Sequence, residues 1–354
     1  MSGGTDLVSL ADQFQILASV GRDLPRYCAE AGIDLDVLAG QFGIDPATFD
    51  DFDTRISFDR FSRLLDAIAS VTGDDTFGLK FGMVASPGAA APFGFGLAVA
   101  PDFTELIRFY AKYVHIVVDL DIFNAIIESD RITLEWSYSP LIGHSEQYAD
   151  YAAAVAMRVL GRYLGRLKKP LRVQLQRRPP RDKSLHMRLI SPSIRFGADI
   201  NRFVFSPAVL GRPNMFADPS LFRYMTQRCE EMSARLRRKK DIVTALKEDF
   251  VRELETGVRS IGELSRKYGM SERSLQRRLA ERGTGFGRLV EQTREELALQ
   301  MLQETETPLI EIGHRLGYSS QSSFTRAIKR LHGRTPGEIR RQYKGPFRRR
   351  KPTE

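Results

Sequence analysis

Two stretches near the C-terminal end, 260–279 and 308–330, repeat one helix-turn-helix pattern, and few folds accommodate both. Each opens with an apolar pair one helical turn apart, Leu264/Tyr268 and Ile312/Leu316. A small residue, Ser265 or Gly313, stands where two helices must approach, and Gly269 or Gly317 follows where the turn demands a positive φ. Ser271 in the first copy, and Ser319 or Ser320 in the second, can cap the next helix. Leu275/Leu279 and Phe324/Ile328, at i and i+4, tie that helix back to a core. Gly269 and Gly317 lie one residue closer than Leu275 and Phe324, so the second turn is one residue longer. Between the copies, residues 286–304 are rich in Leu, Glu, Gln, Arg and Ala without proline, which predicts one connecting helix. A rigid connector of that length holds two recognition helices about one DNA turn, ~34 Å, apart.

The same spacing selects a candidate nucleic-acid surface. Opposite Leu275/Leu279 lie Arg273 and Arg277, flanked by Ser274, Gln276 and Arg278. Opposite Phe324/Ile328 lie Gln321, Ser322 and Arg326, flanked by Thr325 and Lys329. Arginine and glutamine pair bidentately with guanine and adenine edges, whereas half or more of such contacts go to the DNA backbone. Arg330, Arg334 and the start of the helix after Thr335-Pro336 are read as phosphate anchors. Charge agrees. Residues 241–354 carry 23 basic and 16 acidic side chains, +7 of the chain's net +9.

Here the chain resembles the AraC/XylS type of bacterial transcription regulator. The second motif is carried by 316–330 followed by Gly333-Arg-Thr-Pro-Gly-Glu-Ile-Arg340, the first by 264–279. Departures are Ser265 and Gly313 where alanine is usual, Ile328 where an aromatic is usual, and Ile339 where tyrosine is common; all are core exchanges. A looser likeness to the arabinose-binding-like N-terminal domain of one subfamily runs through 56–82 and 193–213. The resemblance implies a sensor and dimerisation domain ahead of a DNA reader, and contact with RNA polymerase.

The N-terminal sequence supports an α+β domain of helices and a small sheet. Apolar residues recur at helical spacing in 7–20, 24–31, 36–42 and 58–72, the last with Ser57 as N-cap. Residues 88–96 read as a loop opening a short helix to Ala100, and 103–114 as a further helix. Period-2 segments at 116–127, 132–138, 171–176 and 202–206 predict strands, with Ile132, Leu134, Trp136 and Tyr138 on one face. Residues 147–167 and 217–236 return to helical spacing. The expected order is therefore a sensing and dimerisation domain over 1–215 (helical over 7–82, mixed over 83–206), a linker helix and basic run over 216–240, an all-α reader of two helix-turn-helix units joined by a long helix over 241–345, and a basic tail over 346–354.

For an effector site, Phe93 and Trp136 are candidates to line a cavity. Arg177, Arg178 and Arg181, in a proline-stiffened loop, suggest an anion clamp beside the blander reading of a solvated basic loop. Cys28 and Cys229 stand far apart with no metal-ligand spacing, and no nucleophile, base and acid fall at catalytic spacing, so neither metal, cofactor nor enzymatic role is expected. The absence of an 18-residue apolar run and of a signal-peptide pattern points to the cytoplasm and away from membranes. The expected partners are promoter DNA, a small-molecule effector and a second copy of the chain. The competing reading is an architectural DNA binder without effector control.

Overall fold

The computed structural model describes residues 10–120, 122–139, 142–143, 145–164, 172–239, 242–305 and 307–342. The side chains of the basic run at 237–240 and the tail 346–354 lie outside the described residues. Two compact units form, one of Phe14–Lys239 and one of Lys240–Glu354 with Met1–Gln13.

The first unit runs β1 (Gln15–Leu17), α1 (Leu24–Glu30), α2 (Leu35–Gly40), β2 (Arg55–Ser57), α3 (Phe58–Thr72), α4 (Phe77–Val84), α5 (Phe93–Val99), α6 (Phe103–Tyr113), β3 (Ile122–Ile127), β4 (Ile132–Ser137), α7 (Glu146–Leu164), β5 (Arg172–Leu175), α8 (Ser184–Leu189), β6 (Ile194–Phe196), β7 (Asn201–Phe205) and α9 (Pro219–Lys239). Strands β1 and β2 pair alone, and the others form a sheet in the order β3-β4-β7-β5-β6. All its pairings are antiparallel except β5 with β6. The predicted face of β4 holds, since Ile132, Leu134, Trp136 and Tyr138 are buried. Thr133 and Ser137 are buried as well, because β4 lies inside the sheet and both of its faces are covered. Helix α3 starts where Ser57 accepts the Arg60 N–H and stops at Gly73 with φ +66°.

Several expectations are corrected here. Residues 10–21 are two short 3-10 turns around β1 and no helix, because pairing of Gln15–Leu17 with Arg55–Ser57 overrides the local spacing. The segment 116–127 is a strand only from Ile122, since Val114–Ile116 continue as a 3-10 turn. The glycine-rich stretch 93–96 is already helix α5, because its glycines serve close packing: a Cβ on Gly94 would fall 2.1 Å from the Pro87 carbonyl oxygen, and one on Gly96 2.3 Å from the Phe109 ring. Helix α9, expected as a linker, packs into the first unit against α5 and α6, burying Cys229 and Ser233.

The second unit is all helical: α10 (Ile242–Glu253), α11 (Ile261–Lys267), α12 (Glu272–Glu281), α13 (Phe286–Glu304), α14 (Leu309–Arg315), α15 (Gln321–His332) and α16 (Pro336–Gln342). The connecting helix has the predicted bounds and, at 1.5 Å per residue, runs roughly 28 Å. Leu246, Phe250, Leu264, Leu275, Leu279 and Leu289 form one buried cluster beneath the first helix-turn-helix. Four residues separate α11 from α12 and five separate α14 from α15, so the second turn is longer by one.

Candidate nucleic-acid interface and ligand cavity

Each recognition helix is fixed by a serine cap at its start and an apolar pair beneath it. Ser271 accepts the Ser274 N–H at 3.2 Å, and Ser320 and Ser323 cap each other reciprocally. Leu275 and Leu279 on α12, and Phe324 and Ile328 on α15, are fully buried. The turns close through Gly269 at φ +66° and Gly317 at φ +77°. At Gly317 a Cβ would also sit 2.3 Å from the Leu254 carbonyl oxygen, so glycine is required there twice over. Behind the second turn, the Arg294 Nε donates to the Leu316 carbonyl at 3.0 Å and its guanidinium covers the Tyr318 ring at 5.7 Å.

Pinning those faces inward leaves Arg273, Gln276, Arg277 and Arg278 exposed on α12, and Gln321, Ser322, Arg326, Lys329 and Arg330 exposed on or at the end of α15. Thr325 is half-buried. Two candidates are engaged elsewhere. The half-buried Ser274 shares a 3.0 Å hydrogen bond with Ser271 inside the cap, and the exposed Arg334 donates to the Gln342 side chain. The start of α16 is also occupied. The Thr335 N–H donates to Glu338 Oε2 at 2.7 Å and the Glu338 N–H to Thr335 Oγ1 at 3.3 Å, so this end caps itself. Arg277 reaches Glu281 at 3.7 Å with both side chains largely in water, where such a pair is worth little.

The first unit contains a cavity of about 170 Å³. Its walls come from α5 (Phe93, Leu97), α6 (Leu106, Tyr110), the sheet (Phe123, Trp136, Phe203) and α7 (Tyr148, Tyr151, Arg158, Arg162). Phe93 and Trp136, singled out from the sequence, both line it. The α7 residues were not singled out, because the alanine-rich face of that helix reads as plain packing.

Residues 32–214 match the arabinose-binding domain of AraC transcription regulators, and 264–342 match a helix-turn-helix domain. The chain belongs to the AraC family of transcription regulators. It is 23% identical to an ornithine utilization regulator of Pseudomonas aeruginosa, over 88% of this chain and 92% of that protein. It is 26% identical to the transcriptional regulator VirS of Mycobacterium tuberculosis, over 88% and 92%. The crystal structure of the Pseudomonas aeruginosa regulator CdpR aligns over 87% of this chain and 96% of its own, at 20% identity and a TM-score of 0.39.

In this AraC-family regulator the arginine cluster of the first unit does not converge on an anion site, which corrects the clamp reading. Arg177 turns inward, 4% exposed, and pairs with Asp150; its Nε donates to the Arg178 carbonyl at 2.8 Å. Asp150 also meets His186 Nε2 at 2.9 Å. Arg178 points outward to Glu146 at 2.7 Å, and the Arg181 N–H is held by Asp75. All three arginines follow β5 in a bend and loop, where neighbours in sequence meet different partners. Both cysteines are buried, which pushes the Cys28 thiol up to about 11 and the Cys229 thiol up to about 12, so neither is a ready thiolate at neutral pH. Among the described residues, no cluster could hold a metal ion and no helix is long and apolar enough to cross a membrane.

Proposed function

We propose that the chain is an effector-responsive regulator that reads promoter DNA with α12 and α15 in successive major grooves. The observation that carries this reading is the pair of recognition helices, each pinned by a buried apolar pair and presenting arginine and glutamine to solvent. Arg273, Gln276, Arg277, Gln321, Ser322 and Arg326 face base edges; Arg278, Thr325, Lys329, Arg330 and Arg334 take the backbone. Ser274 contributes through the cap. The first unit binds a small molecule in its cavity and mediates homodimerisation, so that the ligand shifts how many readers engage both half-sites at once. On this reading the chain acts by binding, without catalysis, in the cytoplasm and with RNA polymerase as a partner; relatives named as regulators support the regulatory role. Footprinting of the full chain on genomic fragments at two salt concentrations tests the reading. Discrete protection over successive major grooves, surviving physiological salt, is expected. Uniform coverage that vanishes with salt would replace it with an architectural binder.

A further inference from the structure

The cavity of the first unit is apolar along its length and polar at two places, and those places define what fits. It follows α7 from Tyr148 to Arg162, roughly 21 Å of helix at 1.5 Å per residue. Toward the α7 C-terminus lie Arg158, half-buried, and Arg162. The Arg158 Nη1 donates to the carbonyls of Gly82 and Ala85, and the Arg162 Nη1 to the carbonyl of Ala98. Among the described residues neither guanidinium meets a carboxylate. The Asp23 carboxylate, whose charge reaches Tyr151, instead accepts the Ser86 N–H at 2.9 Å. A cavity wall thus carries two cations with only neutral acceptors. Water alone solvates the exposed Arg162 well, but a half-buried guanidinium gains from a charged acceptor.

At the other end lies Tyr148, 4% exposed, with Tyr110 beside it; Tyr151, 7% exposed, stands between the two ends, where its phenol feels the Arg158 charge. None of the three hydroxyls has a hydrogen-bond partner among the described residues. Burial pushes the Tyr110 phenol up to about 12 and raises the other two, so all remain protonated donors. Buried hydroxyls are ordinarily paired, and these face a space large enough to supply the partner.

We infer that the cavity takes an elongated, apolar monocarboxylate, its carboxylate at Arg158 and Arg162 and a second oxygen at the far end against Tyr148 and Tyr110. This rests on the effector-binding reading above and names its ligand class. The chain contains a single tryptophan, Trp136, and it lines the cavity, so fluorescence reports occupancy directly. The full chain is titrated with decanoate, 10-hydroxydecanoate and decanol. Decanoate should bind roughly tenfold or more tightly than decanol, the worth of one charge-assisted contact, and 10-hydroxydecanoate more tightly than decanoate. Arg158→Gln should bring decanoate down to the affinity of decanol while leaving decanol unchanged, which also shows that the variant is folded. Tyr148→Phe should narrow the gap between the two acids. If decanol binds as well as decanoate, or Arg158→Gln weakens both alike, the carboxylate proposal is overturned and ligand binding stands. If no probe perturbs Trp136, the cavity accepts no such chain and the proposed ligand class is overturned.

Discussion

The two units of this regulator use arginine in opposite ways. On α12 and α15 the guanidinium groups of Arg273 and Arg326 stand in water with no ion pair among the described residues. In the first unit Arg177 is enclosed with Asp150, their side chains 2% and 0% exposed, and His186 completes the group. A solvated charge contributes little to stability and is free for a partner; a buried charge is bound into the fold and unavailable to any ligand. Clustering in sequence does not distinguish the two. Burial does, and it follows from which remote partners the fold brings against a residue.

The largest test of that contrast is Arg177→Ala. Removing one member of a buried pair leaves the Asp150 carboxylate with His186 alone, a loss of about 3–5 kcal/mol, so thermal unfolding of the full chain should show the first unit melting far earlier. Replacing the pair together, Arg177→Met with Asp150→Leu, should recover part of the loss, because the isolated charge is gone. A melting curve for Arg177→Ala that matches the parent would break the comparison. Arg273→Ala and Arg326→Ala should do the reverse, leaving the melt unchanged while costing ~1–3 kcal/mol of discrimination at one base position each. Binding to operators altered one base pair at a time reads this out. Equal loss on every sequence would move both residues to the phosphates.

The same contrast explains what the sequence made legible. The reader was readable almost to the residue, including helix 286–304, both turn glycines and both serine caps, because its determinants are local and each is tied to a single backbone requirement. The outward faces followed from spacing alone. What spacing missed was side-chain engagement, such as Ser274 in its cap and Arg334 on Gln342. In the first unit the deciding contacts are remote. Arg177 meets a carboxylate 27 positions earlier, and Gln15–Leu17 become a strand only against Arg55–Ser57. The cavity was half legible for the same reason: Phe93 and Trp136 stand out as aromatics, whereas Arg158 and Tyr151 gain meaning only once α7 lies on the sheet.

Arg330 sharpens the comparison on a finer scale. It is exposed near the end of α15, and in the proposed complex with DNA it takes the backbone. Arg330→Ala should weaken all sequences alike and lower the slope of log affinity against log salt by about 1. A loss confined to one base position would make it a reader.

Carboxylates divide in the same manner, and the exposed ones give the smallest effect. Glu263 is held below the ordinary 4.5 by the Ser260 hydroxyl and then the Ser260 N–H. Glu338 is lowered likewise, first by the Thr335 N–H and then by its hydroxyl. A depressed folded value means that each cap contributes fully above the unfolded value near 4.5 and is lost as pH falls through the depressed one. Protonation there should loosen the starts of α11 and α16, while the Ser320–Ser323 box on α15 has nothing to titrate. Glutamine keeps the box geometry without the charge. Hydrogen exchange of the full chain between pH 6 and roughly pH 3 should therefore show faster opening of α11 and α16 relative to α15, and Glu263→Gln with Glu338→Gln should flatten that pH dependence. If the double variant keeps the parent's acid sensitivity, the exposed caps are not its source, and buried carboxylates such as Asp150 become the group to examine.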